Sequence, residues 1–300
     1  MSNLIYTTKD GFELNLDYFV HHKDKILTSN KFDQIQYKNL YSPKIFDLLG
    51  KERISEEQIT KKDMDIAKSA QIVFENILFN LLKKIYDRYK IENLTLSGGC
   101  AMNSVANGKI LKQTPFKNIY ISPNPGDAGG SVGSALVSIT KTKEKINYIN
   151  NYAYLGKEFN NQYIDKIVNN KKLSQEYKIR KYNNEDLINL ITDKLIETKV
   201  IGWFQGKMEW GPRALGNRSI IADARNPNIK EIINSKIKRR ESFRPFAPSI
   251  LKEFVKEWFE EDVVVPYMSQ VFSIKKKKKS TTRITHVDGT RRLQQYQRVK

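Results

Sequence analysis

The densest group of residues able to do chemistry is Gly206-Lys-Met-Glu-Trp-Gly-Pro-Arg-Ala-Leu-Gly-Asn-Arg-Ser219. Arg213 and Arg218 stand there among glycines, and guanidinium groups on such a frame bind phosphate through paired hydrogen bonds. The glycines and Pro212 imply a fixed loop shape, and Glu209 is close enough in sequence to orient one of the arginines. A second basic run, Lys236-Ile-Lys-Arg-Arg-Glu-Ser-Phe-Arg244, puts Lys236 and Arg240 one turn apart on a predicted helix. Lys236 and Arg239 fit a solvated basic helix end favoured by the macrodipole. Arg244 fits that description less well, because Phe243 and Phe246 flank it and would hold it in place. An ordered series of cations of this kind points to a ligand with several negative charges.

Three further clusters could take part. Ser97-Gly-Gly-Cys-Ala-Met-Asn103 reads as a strand end, a glycine pair and a helix start, where a phosphate or ribose could approach the backbone. Taken alone, Gly98 and Gly99 fit an ordinary tight turn at least as well. Asn124-Pro-Gly-Asp-Ala-Gly-Gly130 sets Asp127 between glycines, either as a ligand for a hard cation or as a cap for the next helix. His286-Val-Asp-Gly-Thr-Arg-Arg-Leu-Gln294 brings a histidine, an aspartate and arginines to a predicted strand end. There is no Walker loop, because Gly108-Lys109 and Gly206-Lys207 lack the spacing and the following hydroxyl residue.

The elements that must carry these residues alternate in an α/β manner. Thr60 and Asp63 form a capping-box pattern, and Ile66, Ala70, Phe74, Ile77, Leu81 and Ile85 recur at helical spacing, so a long helix is predicted over Lys62–Tyr89. Strands are predicted at Asn93–Ser97 and Asn118–Ser122, followed by helices at Ala101–Leu111 and Ser131–Thr140. Ile146–Asn184 is polar and weakly periodic, which places a domain boundary near residue 150. Beyond it, helices are predicted at Glu185–Lys199, Lys230–Arg240 and Lys252–Phe259, and strands at Val200–Phe204, Ile220–Asp223, Val271–Ile274 and Thr282–Val287.

Composition narrows the function classes. A single cysteine, Cys100, excludes a disulfide within the chain and a cysteine-built metal cage. The apolar runs are too short to span a bilayer, and Met1–Lys9 lacks the apolar core of a secretory signal, so a cytoplasmic protein is expected. The formal net charge of +19 is spread along the chain and accompanies a general excess of lysine, isoleucine and asparagine. That pattern favours compositional bias plus a phosphate site over a nucleic-acid surface, for which no zinc-finger or aromatic–glycine motif is present.

Ser97–Asn103, Gly126–Gly133, Gly206–Ser219, Lys238–Leu251 and His286–Gln294 occur in the order found in ATP-dependent O-carbamoyltransferases, which the chain resembles from about residue 90 onward. These are enzymes of nodulation-factor and antibiotic carbamoylation. The resemblance implies the C-terminal half of an actin-like (ASKHA) domain over residues 1–150 and a partial YrdC-like α/β domain over 151–300. It implies activation of carbamoyl phosphate with ATP to carbamoyl-adenylate, and transfer of the carbamoyl group to a hydroxyl of a small-molecule acceptor. By position, Gly98, Gly99 and Asn103 correspond to the nucleotide-contacting turn, and Asp127 to a metal-ligand aspartate at an iron-type site, with Mg accompanying ATP. Arg213, Arg218, Lys238, Arg244 and Arg292 correspond to the anion and carbamoyl phosphate contacts.

Two departures bear on competence. The family's His-x-x-x-His pair is absent, since the only histidines are His21, His22 and His286, and so is its Asn-Thr-Ser-Phe-Asn stretch. The expectation is a chain shortened at both ends, with a separate polypeptide supplying the first half of the actin-like domain. The alternatives are a non-catalytic remnant or partner-dependent subunit, and a tRNA threonylcarbamoylation-type enzyme.

Overall fold

The computed structural model describes residues 1–23, 27–29, 35–37, 39–54, 56–142, 153–169, 171–275 and 290–296. The fold is mixed α/β, and the described strands pair two by two. Contacts divide the chain into two compact units, one of residues 1–92 and 110–117, the other of residues 93–109 and 118–300. The boundary expected near residue 150 falls within 143–152, outside the described residues.

The first unit is organised by the helix Lys61–Tyr89. The predicted capping box forms: the Thr60 side chain accepts from the Asp63 backbone N–H, and the Asp63 carboxylate accepts from the Thr60 N–H. The helix buries Ile77, Phe79 and Leu82, and Phe116 meets Tyr86 edge-to-face at 5.4 Å between ring centroids. An antiparallel hairpin of Ile5–Thr7 with Phe12–Leu14 is tied to this helix by Lys84, whose ammonium donates to the Thr8 carbonyl at 2.8 Å. A cavity of about 550 Å³ lies between Tyr41, Phe46, Ile54 and Lys62. None of the residues singled out for chemistry lines it, so its size carries no functional weight.

In the second unit, Asn93–Leu96 and Asn118–Ile121 pair in parallel, in register from Asn93↔Asn118 to Leu96↔Ile121. Both carboxyl ends open into the glycine-bearing loops, the position where parallel α/β sheets present ligands. The single predicted helix Ala101–Leu111 is broken instead into short turns at Gly99–Met102, Ser104–Asn107 and Ile110–Gln113. The Asn107 carboxamide explains the break, because it donates to the Ala101 carbonyl at 2.8 Å and to the distant Ser269 carbonyl at 2.9 Å. Gly129–Lys141 is helical as expected, and Asn161–Val168, read as irregular from its polarity, is a helix capped by Asn160.

Ile201–Phe204 pairs antiparallel with Arg218–Ile221 and so closes the arginine-bearing loop at its base. Val255, Phe259, Val265, Phe272, Ile274 and Leu293 form one core cluster, and Ile229 and Ile233 anchor another with Ala222 and Phe246. Thr290–Arg292 pairs antiparallel with Val271–Ser273, and Gln294–Tyr296 pairs in parallel with Ser249–Leu251. The predicted strand Thr282–Val287, with His286, lies outside the described residues. No described helix is long and apolar enough to cross a membrane.

Candidate active site

Glu209 organises the first basic loop. It is 2% exposed, and its Oε1 accepts the backbone N–H groups of Leu215 at 2.6 Å, Asn217 at 2.9 Å and Arg218 at 3.3 Å. Arg218 clamps the other side, donating from Nε to Glu209 Oε2 at 3.2 Å and from Nη2 to the Glu209 carbonyl at 2.6 Å. Burial pushes the Glu209 pKa up, but the backbone donors outweigh it and leave the carboxyl below its ordinary value. The expectation that Glu209 orients an arginine therefore holds for Arg218, whose charge is met by the buried carboxylate.

Close backbone approaches hold the loop in place. At Gly216, φ is +111° and an added Cβ would stand 2.8 Å from the Tyr296 hydroxyl; at Gly211, φ is +116° and it would stand 2.9 Å from the Pro123 carbonyl oxygen. The second contact sets the arginine loop against Pro123–Gly130. That loop in turn receives the Gly98 N–H on the Pro125 carbonyl at 2.6 Å. Backbone contacts thus link the glycine turn, the Asp127 loop and the arginine loop. The chain also runs beside Met208–Trp210, with Gly156 N–H donating to Met208 O at 2.9 Å and Trp210 N–H to Ala153 O at 2.8 Å. Tyr154 donates to the Leu215 carbonyl at 2.8 Å; burial, reinforced by Glu209, Tyr296 and Tyr267, pushes its pKa up to about 12.

Asn234 organises the second basic loop. The predicted helix Lys230–Arg240 ends early: Ile229–Ile232 passes into a wide turn over Ile233–Ile237, in which the Lys238 N–H reaches back to the Ile233 carbonyl at 2.8 Å. Lys238, Arg239 and Arg240 therefore lie past the helix end, and Lys236 and Arg239 are exposed as expected. Asn234 is fully buried, and its Nδ2 donates to the carbonyls of Ser242 at 3.1 Å and Arg244 at 2.9 Å. Its Oδ1 accepts from Arg240 Nε at 2.8 Å, while the Arg240 guanidinium lies over the Phe246 ring at 5.0 Å. Arg244 is paired with Glu241 at 2.8 Å.

Electrostatic coupling joins the two loops. Burial, and then the positive charges of Arg213 and Arg240, lower the Arg292 pKa to about 10. Arg292 Nε is buried and makes no hydrogen bond with the described residues. Burial lowers Arg213, burial and then Arg240 lower Lys238, and burial and then Arg244 lower Arg240, opposed by Glu241. Arg213, Arg240 and Arg292 are thus partly buried cations, and the charges of Arg213 and Arg240 act on Arg292. Arg225 stands apart from them, bound to Asp223 through contacts of 2.6–3.0 Å.

Gly98 and Gly99 have open space where side chains would stand, and Asn103 caps the Ser104–Asn107 turn through Oδ1, which accepts from the Ala106 N–H at 3.1 Å. Asp127 is exposed, and among the described residues no three His, Cys, Asp or Glu side chains gather where a metal could sit. Sequence reasoning placed Arg240 one turn from Lys236 on a helix and gave no part to Asn234 or Tyr154. The available signal was a lone asparagine beside Ile229, Ile232 and Ile233, where a polar group must find partners inside.

Residues 8–136 match the family described as carbamoyltransferase N-terminus, and residues 192–300 match carbamoyltransferase C-terminus. The chain belongs to the carbamoyltransferase family. Among its relatives, an uncharacterized protein of Synechocystis sp. is 38% identical over 98% of this chain and 50% of its own length. Nodulation protein NolNO of Sinorhizobium fredii is 35% identical over 78% of this chain and 35% of its own length. The 3'-hydroxymethylcephem-O-carbamoyltransferase of Amycolatopsis lactamdurans is 30% identical over 67% of this chain and 36% of its own length. The chain thus spans about half the length of these relatives, or less. Gly98, Gly99, Asn103 and Asp127 fall in the N-terminal match, and Arg213, Arg218, Lys238, Arg244 and Arg292 in the C-terminal one.

Proposed function

We propose that this chain belongs to an O-carbamoyltransferase that activates carbamoyl phosphate with ATP and passes the carbamoyl group to a hydroxyl of a small-molecule acceptor in the cytoplasm. The observation that supports this reading is the pair of basic loops, one fixed by Glu209 and carrying Arg213, the other fixed by Asn234 and carrying Arg240, beside a buried Arg292 Nε that makes no hydrogen bond with the described residues. ATP and carbamoyl phosphate together present several phosphates, and guanidiniums in a site of low polarity stabilise the charge that develops as pyrophosphate leaves. In this reading water releases orthophosphate from carbamoyl phosphate, and a carbamate oxygen attacks the α-phosphorus of ATP. Pyrophosphate departs and leaves carbamoyl-adenylate. The acceptor oxygen then attacks the carbamoyl carbon, its proton is lost, and AMP departs.

The family reading assigns residues 1–150 to an actin-like (ASKHA) half-domain and 151–300 to a YrdC-like domain. In that assignment the open turn at Gly98 and Gly99 receives the nucleotide and Asn103 borders it. For the metal, Asp127 offers one carboxylate, and among the described residues no three His, Cys, Asp or Glu side chains gather around it. A second polypeptide carrying the histidine pair is part of the proposal.

The test is pyrophosphate release from ATP in the presence of carbamoyl phosphate. It is run on this chain alone and on the chain combined with a polypeptide carrying the rest of a relative's length. Release is expected to depend on carbamoyl phosphate and to be lost in Arg292→Gln and Arg244→Ala. Release indifferent to carbamoyl phosphate, or label from carbamoyl phosphate appearing on tRNA, would overturn the reading.

A further inference from the structure

Asn234 has no charge to offer an anion, yet its side-chain hydrogen bonds reach three residues of the basic loop: Ser242, Arg244 and Arg240. Its own carbonyl accepts the Arg240 N–H at 3.0 Å, so the same asparagine holds Arg240 by main chain and by side chain. A carboxamide donates twice and accepts without carrying charge. A carboxylate at this place would meet two carbonyl oxygens with no proton to offer and would neutralise the arginine beside it, as Glu209 does for Arg218. An apolar residue would leave the Ser242 and Arg244 carbonyls without this donor. We propose that Asn234 is a positioning residue that aims the Arg240 guanidinium into the anion site while leaving its charge undiminished. The Phe246 face confines Arg240, and the charge of Arg240 is felt at Arg292 and Lys238. This inference rests on the polyanion reading of the site and adds to it the residue that presents one of its cations.

The experiment uses the full 300-residue chain. Inorganic pyrophosphate binding is measured by titration calorimetry over a series of salt concentrations for wild type, Asn234→Ala, Arg240→Gln and the double variant. Each single substitution is expected to weaken binding about tenfold, and the double variant no more than about tenfold, because both remove one interaction. Asn234→Ala removes no charge, yet it is expected to flatten the salt dependence as much as Arg240→Gln does. A purely structural role would leave that slope unchanged. A roughly hundredfold additive loss in the double variant, or an intact slope in Asn234→Ala, overturns the inference. Should Asn234→Ala fail to fold by circular dichroism, Asn234→Asp takes its place: weaker binding with a flattened slope supports the inference, and wild-type binding overturns it. Wild type failing to bind pyrophosphate would sink the polyanion reading and this inference with it. Weakening by Arg240→Gln with both Asn234 variants unaffected would sink the inference alone.

Discussion

In the second unit, the 206–219 loop and the 234–244 loop are each held from inside by one buried polar side chain, with opposite electrical results. Glu209 carries a charge and neutralises the arginine it holds, so Arg218 becomes a clamp. Asn234 carries none, so Arg240 is held and remains a full cation. The difference teaches that an arginine in a basic loop can be tied into the frame or kept as an unpaired charge, and that its buried partner decides which.

The largest expected effect that would break this comparison is on stability. Glu209→Ala should cost about 3–5 kcal/mol, since it removes a buried acceptor and leaves the Arg218 Nε and three backbone donors unmatched. The urea midpoint measures this, and a loss under about 1 kcal/mol would mean that the loop holds itself. The pH dependence follows from the lowered Glu209 pKa. A carboxyl depressed in the folded state contributes stability above its ordinary value of 4.5, and that contribution disappears as pH falls through the folded value. The stability gap between wild type and Glu209→Gln should therefore narrow as pH is taken from neutral to below 4.5.

Next in size is Arg292→Gln, expected to weaken pyrophosphate binding roughly hundredfold, as for loss of charge-assisted hydrogen bonds worth about 2–3 kcal/mol. The same substitution should raise the thermal midpoint of the unliganded chain. A base whose pKa is lowered to about 10 is disfavoured as a cation in the folded state throughout neutral pH, and removing the charge removes that cost. Loss of both stability and binding would place Arg292 with the clamp residues.

The comparison is sharpened by pairing Arg240→Gln with Arg218→Gln. The first should weaken pyrophosphate binding about tenfold with little change in stability, and the second should cost about 1–3 kcal/mol of stability with under about twofold change in binding. Calorimetry and urea titration on the same samples separate the two. Smallest of all is Asp127→Asn, whose exposed side chain should leave the urea midpoint within about 0.5 kcal/mol of wild type.

Much of this organisation was legible in the chain itself. The helix Lys61–Tyr89 came out to within a residue, because its apolar spacing and capping box are local. The strands Asn93–Leu96 and Asn118–Ile121 and the basic loops were readable for the same reason, as were the families of motifs that gave the resemblance. The helix expected over Ala101–Leu111 was lost to Asn107, whose bond to Ser269 spans residues that no local window contains. The helix Asn161–Val168 is hidden by the polarity of its surroundings, although Asn160 offers a cap and Ile164, Ile167 and Val168 recur at helical spacing.

Local order alone thus settled which residue types could meet an anion and which family the chain resembles. Those properties depend on side-chain chemistry and on backbone preferences within a few residues. Which arginines face inward to a carboxylate and which keep their charge was decided only by tertiary structure. A guanidinium has the same chemistry at Arg213, Arg218, Arg240 and Arg292. Its role depends on whether the buried atom opposite it is Glu209 Oε2, Asn234 Oδ1 or another cation, and folding alone brings those atoms together.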